Sequence, residues 1–206
     1  MSRNARAVLV ESLRAATPFD IPIELIAACL TASEDLVNNP ERLAAIEAQV
    51  QTLLLHATPL PSRMRAAARP VLGNIAEAIV ESILVDAGWS PLEHDIEGIS
   101  FGHGVDLLML DAAAERVVAI EVKSTVQKDR WPRLARGGAE QLTPEWLDRA
   151  ANIGMRDLGF DSTDVYVMVV QLHFVRQQWR ACLGTSALTA LPVITMEQLD
   201  ELGWVL

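Results

Sequence analysis

Residues 105–124 read VDLLMLDAAAERVVAIEVKS, in which two aliphatic and β-branched runs, Val105–Leu110 and Arg116–Lys123, flank the short connection Asp111–Glu115. Runs of this kind separated by a short polar break predict an antiparallel hairpin. With the connection centred between Ala113 and Ala114, Leu110 faces Val117, Leu108 faces Ala119 and Asp106 faces Glu121. Directly opposed residues project from the same face, with Cβ atoms about 5 Å apart. Lys123 lies two residues beyond Glu121 and joins that face. A register shifted by one would send Asp106 to the other side. Leu107–Leu110 and Val117–Ile120 are apolar at every position, which predicts strands covered on both faces. A surface hairpin with a cross-strand salt bridge would alternate apolar and polar instead.

Upstream of the hairpin, a long helix is predicted from about Pro70 to Ala87, closed by Gly88. Leu72, Ile75, Ile79, Ile83 and Leu84 form its apolar side, and Asn74, Glu77 and Glu81 a polar side. Trp89–Asp95 reads as a first strand and Gly102–Gly104 as a turn. Thr143-Pro144-Glu145 opens a later helix. Asp164–Phe174 is the strongest strand signal, Gln178–Leu183 is placed to pair with it, and Val193–Ile194 and a helix Met196–Leu202 follow. Residues 1–60 read as helices, Asn4–Ala15, Ile21–Leu30 and one opening at Asn39-Pro40-Glu41 with the stripe Leu43, Ile46, Val50, Leu53 and Leu54. Pro59, Pro61 and Pro70 set a boundary near residue 60. The division is a helical subdomain at 1–60 and a core domain at 61–206, of α/β (α+β) class with a mixed sheet flanked by helices.

The 206 residues are 50% hydrophobic and 21% charged, enough apolar material for a packed core. No apolar run reaches the ~20 residues that span a bilayer. No secretory signal is visible: Glu11 and Arg14 interrupt the apolar run that would follow Arg3 and Arg6. The expected location is the cytoplasm, or delivery into another cell without a cleaved signal. Cys29 and Cys182 have no partners at zinc spacing and read as small buried apolar residues. The net charge of −10 argues against a protein that coats nucleic acid. The positive charge is uneven, however. Lys123, Lys128, Arg130, Arg133 and Arg136 oppose only Asp129 within residues 122–136, and Arg63, Arg65 and Arg69 form a second group. Lys128, Arg130, Arg133 and Arg136 are candidate contacts for nucleic-acid phosphates; a solvated surface is the alternative for either run.

Two carboxylates opposed at a strand end repel unless a cation lies between them. A hard divalent ion suits the pair, since Mg²⁺ takes one or two carboxylates together with water and phosphate oxygens. Such an ion acidifies a bound water and stabilises charge on a phosphodiester, and Lys123 can position that water or neutralise the transition state. The chain holds fifteen Arg and two Lys, so a lysine at 123 points to a need for a compact, titratable ammonium.

Gly104-Val105-Asp106, followed by the apolar run into Glu121-Val122-Lys123-Ser124, resembles the D…(D/E)-x-K signature of the PD-(D/E)XK, restriction-endonuclease-like nucleases, with Val105 where a proline is usual. Gly73-Asn74-Ile75-Ala76-Glu77 is similar to their glutamate-bearing helix. Gln141-Leu142-Thr143-Pro144-Glu145-Trp146 resembles the glutamine-bearing helix of several branches, in a form like the nuclease domains of bacterial polymorphic toxins. The resemblance runs from about Pro70 to Phe174. It implies a restriction-endonuclease-like core and a Mg²⁺- or Mn²⁺-dependent endonuclease, acting on DNA, RNA or transfer RNA as a toxin, defence or repair enzyme. Asp106, Glu121 and the Val122 carbonyl would ligate the metal, Glu77 would approach it directly or through water, Lys123 would serve the attacking water, and Gln141 would contact that water, the lysine or the substrate. Many enzymes of the class pair as homodimers to cut two strands, and residues 1–60 are where a protein partner is expected. Two other readings stay open: a nuclease-fold binding module without activity, and a metal-dependent phosphoesterase acting on a small nucleotide.

Overall fold

A computed structural model describes residues 40–92, 105–112, 115–128, 130–132 and 165–183. The helices expected before residue 39, the Gly102–Gly104 turn, the helix at Thr143 and the elements after residue 192 lie outside these residues. So do Gln141, Arg133 and Arg136.

Among the described residues two helices and five strands follow in order: α1 (Pro40–His56), α2 (Ser62–Asp86), β1 (Ser90–Pro91), β2 (Leu107–Asp111), β3 (Arg116–Thr125), β4 (Tyr166–His173) and β5 (Gln178–Leu183). The strands form one sheet in sequence order. Only the β3–β4 pair is parallel, and the rest are antiparallel, so the sheet is mixed and the class α/β. The hairpin takes the symmetric register: Leu107 pairs with Ile120, Leu108 with Ala119 and Leu110 with Val117. Pro91 sits on the edge strand β1, where a missing N–H interrupts no ladder.

Helix α2 corrects the expectation that Pro70 opens it. The helix starts at Ser62 and carries Pro70 inside. Proline removes one N–H and crowds the preceding turn, a cost of ~3 kcal/mol. The segment before it, Arg63-Met64-Arg65-Ala66-Ala67-Ala68-Arg69, is made almost wholly of strong helix formers. Ala68, Val71 and Leu72 on either side are buried, so packing holds both halves in line. The C-terminus is as expected. Gly88 has φ +87°, its N–H donates to the Val85 carbonyl, and the Trp89 N–H reaches back to Leu84. This is a Schellman closure, and its hydrophobic contact is supplied by the buried pair Trp89 and Leu84.

One face of the sheet builds the core. Val118, Ile120 and Val122 of β3 and Met168, Val170 and Leu172 of β4 join one buried cluster with Ile75, Ile79 and Leu84 of α2 and Ile46, Val50 and Leu53 of α1. The residues of opposite parity, Val117, Ala119, Val167 and Val169, are buried as well. Both central strands are therefore covered on both sides. Helix α1 is tied in from far along the chain, since the Gln177 amide donates to the Leu54 carbonyl at 3.0 Å. No described helix is long and apolar enough to cross a membrane.

Candidate active site

The hairpin ladder ends at Leu107 and Ile120, and one step beyond it lie Asp106 and Glu121. Asp106 is fixed by the opposite strand: its Oδ2 accepts the Val122 backbone N–H at 2.7 Å. Glu121, in the middle of β3 and paired with Val169 of β4, is 1% exposed. Lys123, two residues on and on the same face, donates to Glu121 Oε1 and lies 3.9 Å from Asp106 Oδ2. The three residues expected to meet do meet, and the lysine bridges the two carboxylates.

Glu77 approaches from α2. Its carboxyl is pushed up to about 7 by burial first, and then by Asp106, with Lys123 opposing and Glu121 adding. Asp106 is raised too, chiefly by burial, against the pull of Lys123 and the Val122 N–H. Around this point three carboxylates share one ammonium among the described residues, so two negative charges stand over when all are ionised. Desolvated like charges of this kind favour either protons or a further cation.

That donor set fits a hard divalent ion. Asp106 and Glu121 are two oxygen donors at one strand end, and Mg²⁺ asks for no more than one or two carboxylates, completing its shell with water and phosphate. Among the described residues no three His, Cys, Asp or Glu side chains gather as a ready-made metal cage.

Beside Lys123 opens a cleft of about 350 Å³ between the first turns of α2 and the segment after β3. Arg65, Arg69 and Leu72 line one wall, and residues 124–127 with Arg130, Trp131 and Pro132 the other. It lies at the carboxyl end of β3, where the strands of α/β sheets commonly present their ligands. The second wall is held from beneath. Gln171, fully buried, donates to the Pro132 carbonyl at 2.9 Å and accepts from Arg180 Nε at 2.6 Å. The Arg180 guanidinium lies 4.5 Å from the Trp131 ring centre, and that ring meets His173 edge-on. Arg176 Nε donates to the Lys128 carbonyl at 3.0 Å. Trp131 is thus a docked wall residue with one face occupied. Of the expected nucleic-acid contacts, Arg130 lines the cleft, whereas Lys128 is exposed and does not.

Arg65 and Arg69 are the residues that sequence reasoning left outside the site. Their signal was present, as a basic group in an acidic chain, but with a helix starting at Pro70 they were given no element to place them beside the hairpin. No family model, no curated protein and no solved structure matches the chain.

Proposed function

We propose that the protein is a divalent-metal-dependent nuclease with a restriction-endonuclease-like core. The observation that carries this reading is the convergence of Asp106, buried Glu121 and Lys123 at the end of the hairpin, in the register their spacing predicts. Asp106, Glu121 and the Val122 carbonyl would hold Mg²⁺ or Mn²⁺, which when bound supplies an acidified water and a positive charge at the scissile phosphate.

The chain's own residues do the rest. The Val122 N–H aims the Asp106 carboxylate. Lys123, seated between two carboxylates, carries an ammonium that can turn to a phosphate oxygen and neutralise the charge that grows there. Glu77, on the polar side of α2, would add a further carboxylate near the metal, directly or through water. Burial of Glu121 keeps competing water away from one side of the group.

The test is cleavage of supercoiled, linear and single-stranded DNA and of total transfer RNA, with Mg²⁺, with Mn²⁺ and with EDTA. Metal-dependent cleavage should vanish in Lys123→Ala and in Asp106→Asn, the latter keeping the acceptor for Val122. Cleavage that persists in both folded variants would overturn the reading.

A further inference from the structure

The cleft beside Lys123 departs from the rest of the molecule in charge. The chain carries a net charge of −10, yet among the described residues that line the cleft four are cationic and none is acidic. Arg65 and Arg69 stand one helical turn apart on α2 and so share a side of it. Arg130 belongs to the opposite wall, and Lys123 lies where the cleft meets the carboxylates. Lys123 is paired with Glu121 and Asp106, but the three arginines face the cleft with no carboxylate in its described lining, and an anion with several oxygens suits the space between the walls. Both walls are prepared for it. Arg65 is steered by its Nε bond to the Leu60 carbonyl at 3.2 Å, which uses neither terminal amino group. The Arg130 wall is pinned to the sheet through Gln171, Arg180 and Arg176. Ordering such a site during folding lowers what binding must later supply.

We propose that this cleft is the track for the substrate strand next to the scissile phosphate, and that it takes an unpaired polynucleotide strand. Arg65, Arg69 and Arg130 hold consecutive backbone phosphates while Lys123 marks the point where the strand reaches the carboxylates. A recess of about 350 Å³ is at the small end of ligand sites and admits a nucleotide of one strand, whereas a base pair keeps its strand locked to a partner outside. The inference rests on the nuclease reading for the meaning of the reaction, but not for the existence of the site.

The experiment is fluorescence anisotropy on the full chain in EDTA, so that binding is read without cleavage. Short labelled oligo(dT) and oligo(U) are compared with a duplex of the same length across a salt series. In the Arg65→Ala/Arg69→Ala protein, single-strand affinity should fall on the order of tenfold or more, and the log–log salt slope should drop by about 1.4, at ~0.7 for each phosphate no longer neutralised. Arg65→Lys/Arg69→Lys should recover part of the affinity. Arg63→Ala, an exposed residue of the same helix outside the cleft, should bind as the parent does. The two single-strand probes decide between DNA and RNA. Equal losses in Arg63→Ala and in the double variant would reduce the effect to diffuse charge and overturn the site. Duplex binding as tight as single-strand binding, lowered to the same extent, would overturn the strand class, and so would tight binding of a mononucleotide with no gain from chain length. If Asp106→Asn still cleaves while the double variant loses the strand, the nuclease chemistry fails and the cleft stands.

Discussion

Replacing Glu77 by glutamine should stabilise the protein at alkaline pH and leave it unchanged in acid. A carboxyl moved from 4.5 to about 7 on folding loses about 3.4 kcal/mol when it ionises in the native state, at ~1.36 kcal/mol per pH unit. Glu77 is half-buried, so solvent screens part of this, and about 1.5 kcal/mol is the figure to expect. The sign follows from proton binding. Below pH 4.5 both states hold the proton and nothing is lost. Between 4.5 and about 7 the folded state holds it and the unfolded state does not, so stability falls as pH rises, and above 7 the loss is complete. Glutamine has the same shape and no charge to desolvate. In EDTA the Glu77→Gln protein should therefore match the parent near about pH 4 and exceed its Tm by about 3–6 °C at about pH 8. Saturating Mg²⁺ should shrink the gain, because the cation relieves the parent. Thermal unfolding by circular dichroism at the two pH values is sufficient. A variant less stable than the parent at alkaline pH, or one equally more stable at both, would refute the electrostatic argument.

Other perturbations read other parts of the structure. Lys123→Met leaves buried Glu121 and Asp106 without their cation and should cost about 2–4 kcal/mol in urea denaturation at neutral pH, part of it returned by Mg²⁺. Gly73→Ala places a methyl where no atom lies within 4 Å and should stabilise α2 by about 1 kcal/mol; lost cleavage in that more stable protein would mean that substrate passes over this point between Arg69 and Glu77. Gly88→Ala meets a left-handed backbone at φ +87° and should cost about 1–2 kcal/mol. Gln171→Leu removes the donor to the Pro132 carbonyl and the acceptor of Arg180 Nε, and should raise hydrogen exchange in residues 128–132 with a stability loss of about 1–3 kcal/mol.

The hairpin was legible because its signal is local. Two apolar runs of matching length about a short connection admit few registers, and the symmetric one is found. β4 and β5 were legible for the same reason, one as a β-branched run and one as the run beside it. The start of α2 was not, because a proline is a strong local signal and the forces that override it are not local. Ala68, Val71 and Leu72 gain their burial from the rest of the core, and no window of sequence around Pro70 reports that. The same holds for the cleft. Arg65 and Arg130 are far apart in the chain and line one cleft only because the fold sets the end of β3 beside the start of α2. The wall around Trp131 depends on Gln171, a residue that in sequence is one polar side chain within an apolar strand.

The connectivity of the hairpin also predicts an order of assembly. β2 and β3 are joined by a few residues and can close on the microsecond scale, whereas β3 must wait for β4, a parallel partner from much farther along the chain. Asp106, Glu121 and Lys123 all belong to the early unit, and β4 contributes to sealing Glu121 only later. In this order the acid would have its ammonium before it loses its water. Pulse-labelled refolding should find the Val122 amide, held by Asp106, protected ahead of the amides of β4; the reverse order would disprove the sequence of events. A chain that folds in this order would bring Asp106, Glu121 and Lys123 together first, and the later strands would close around them.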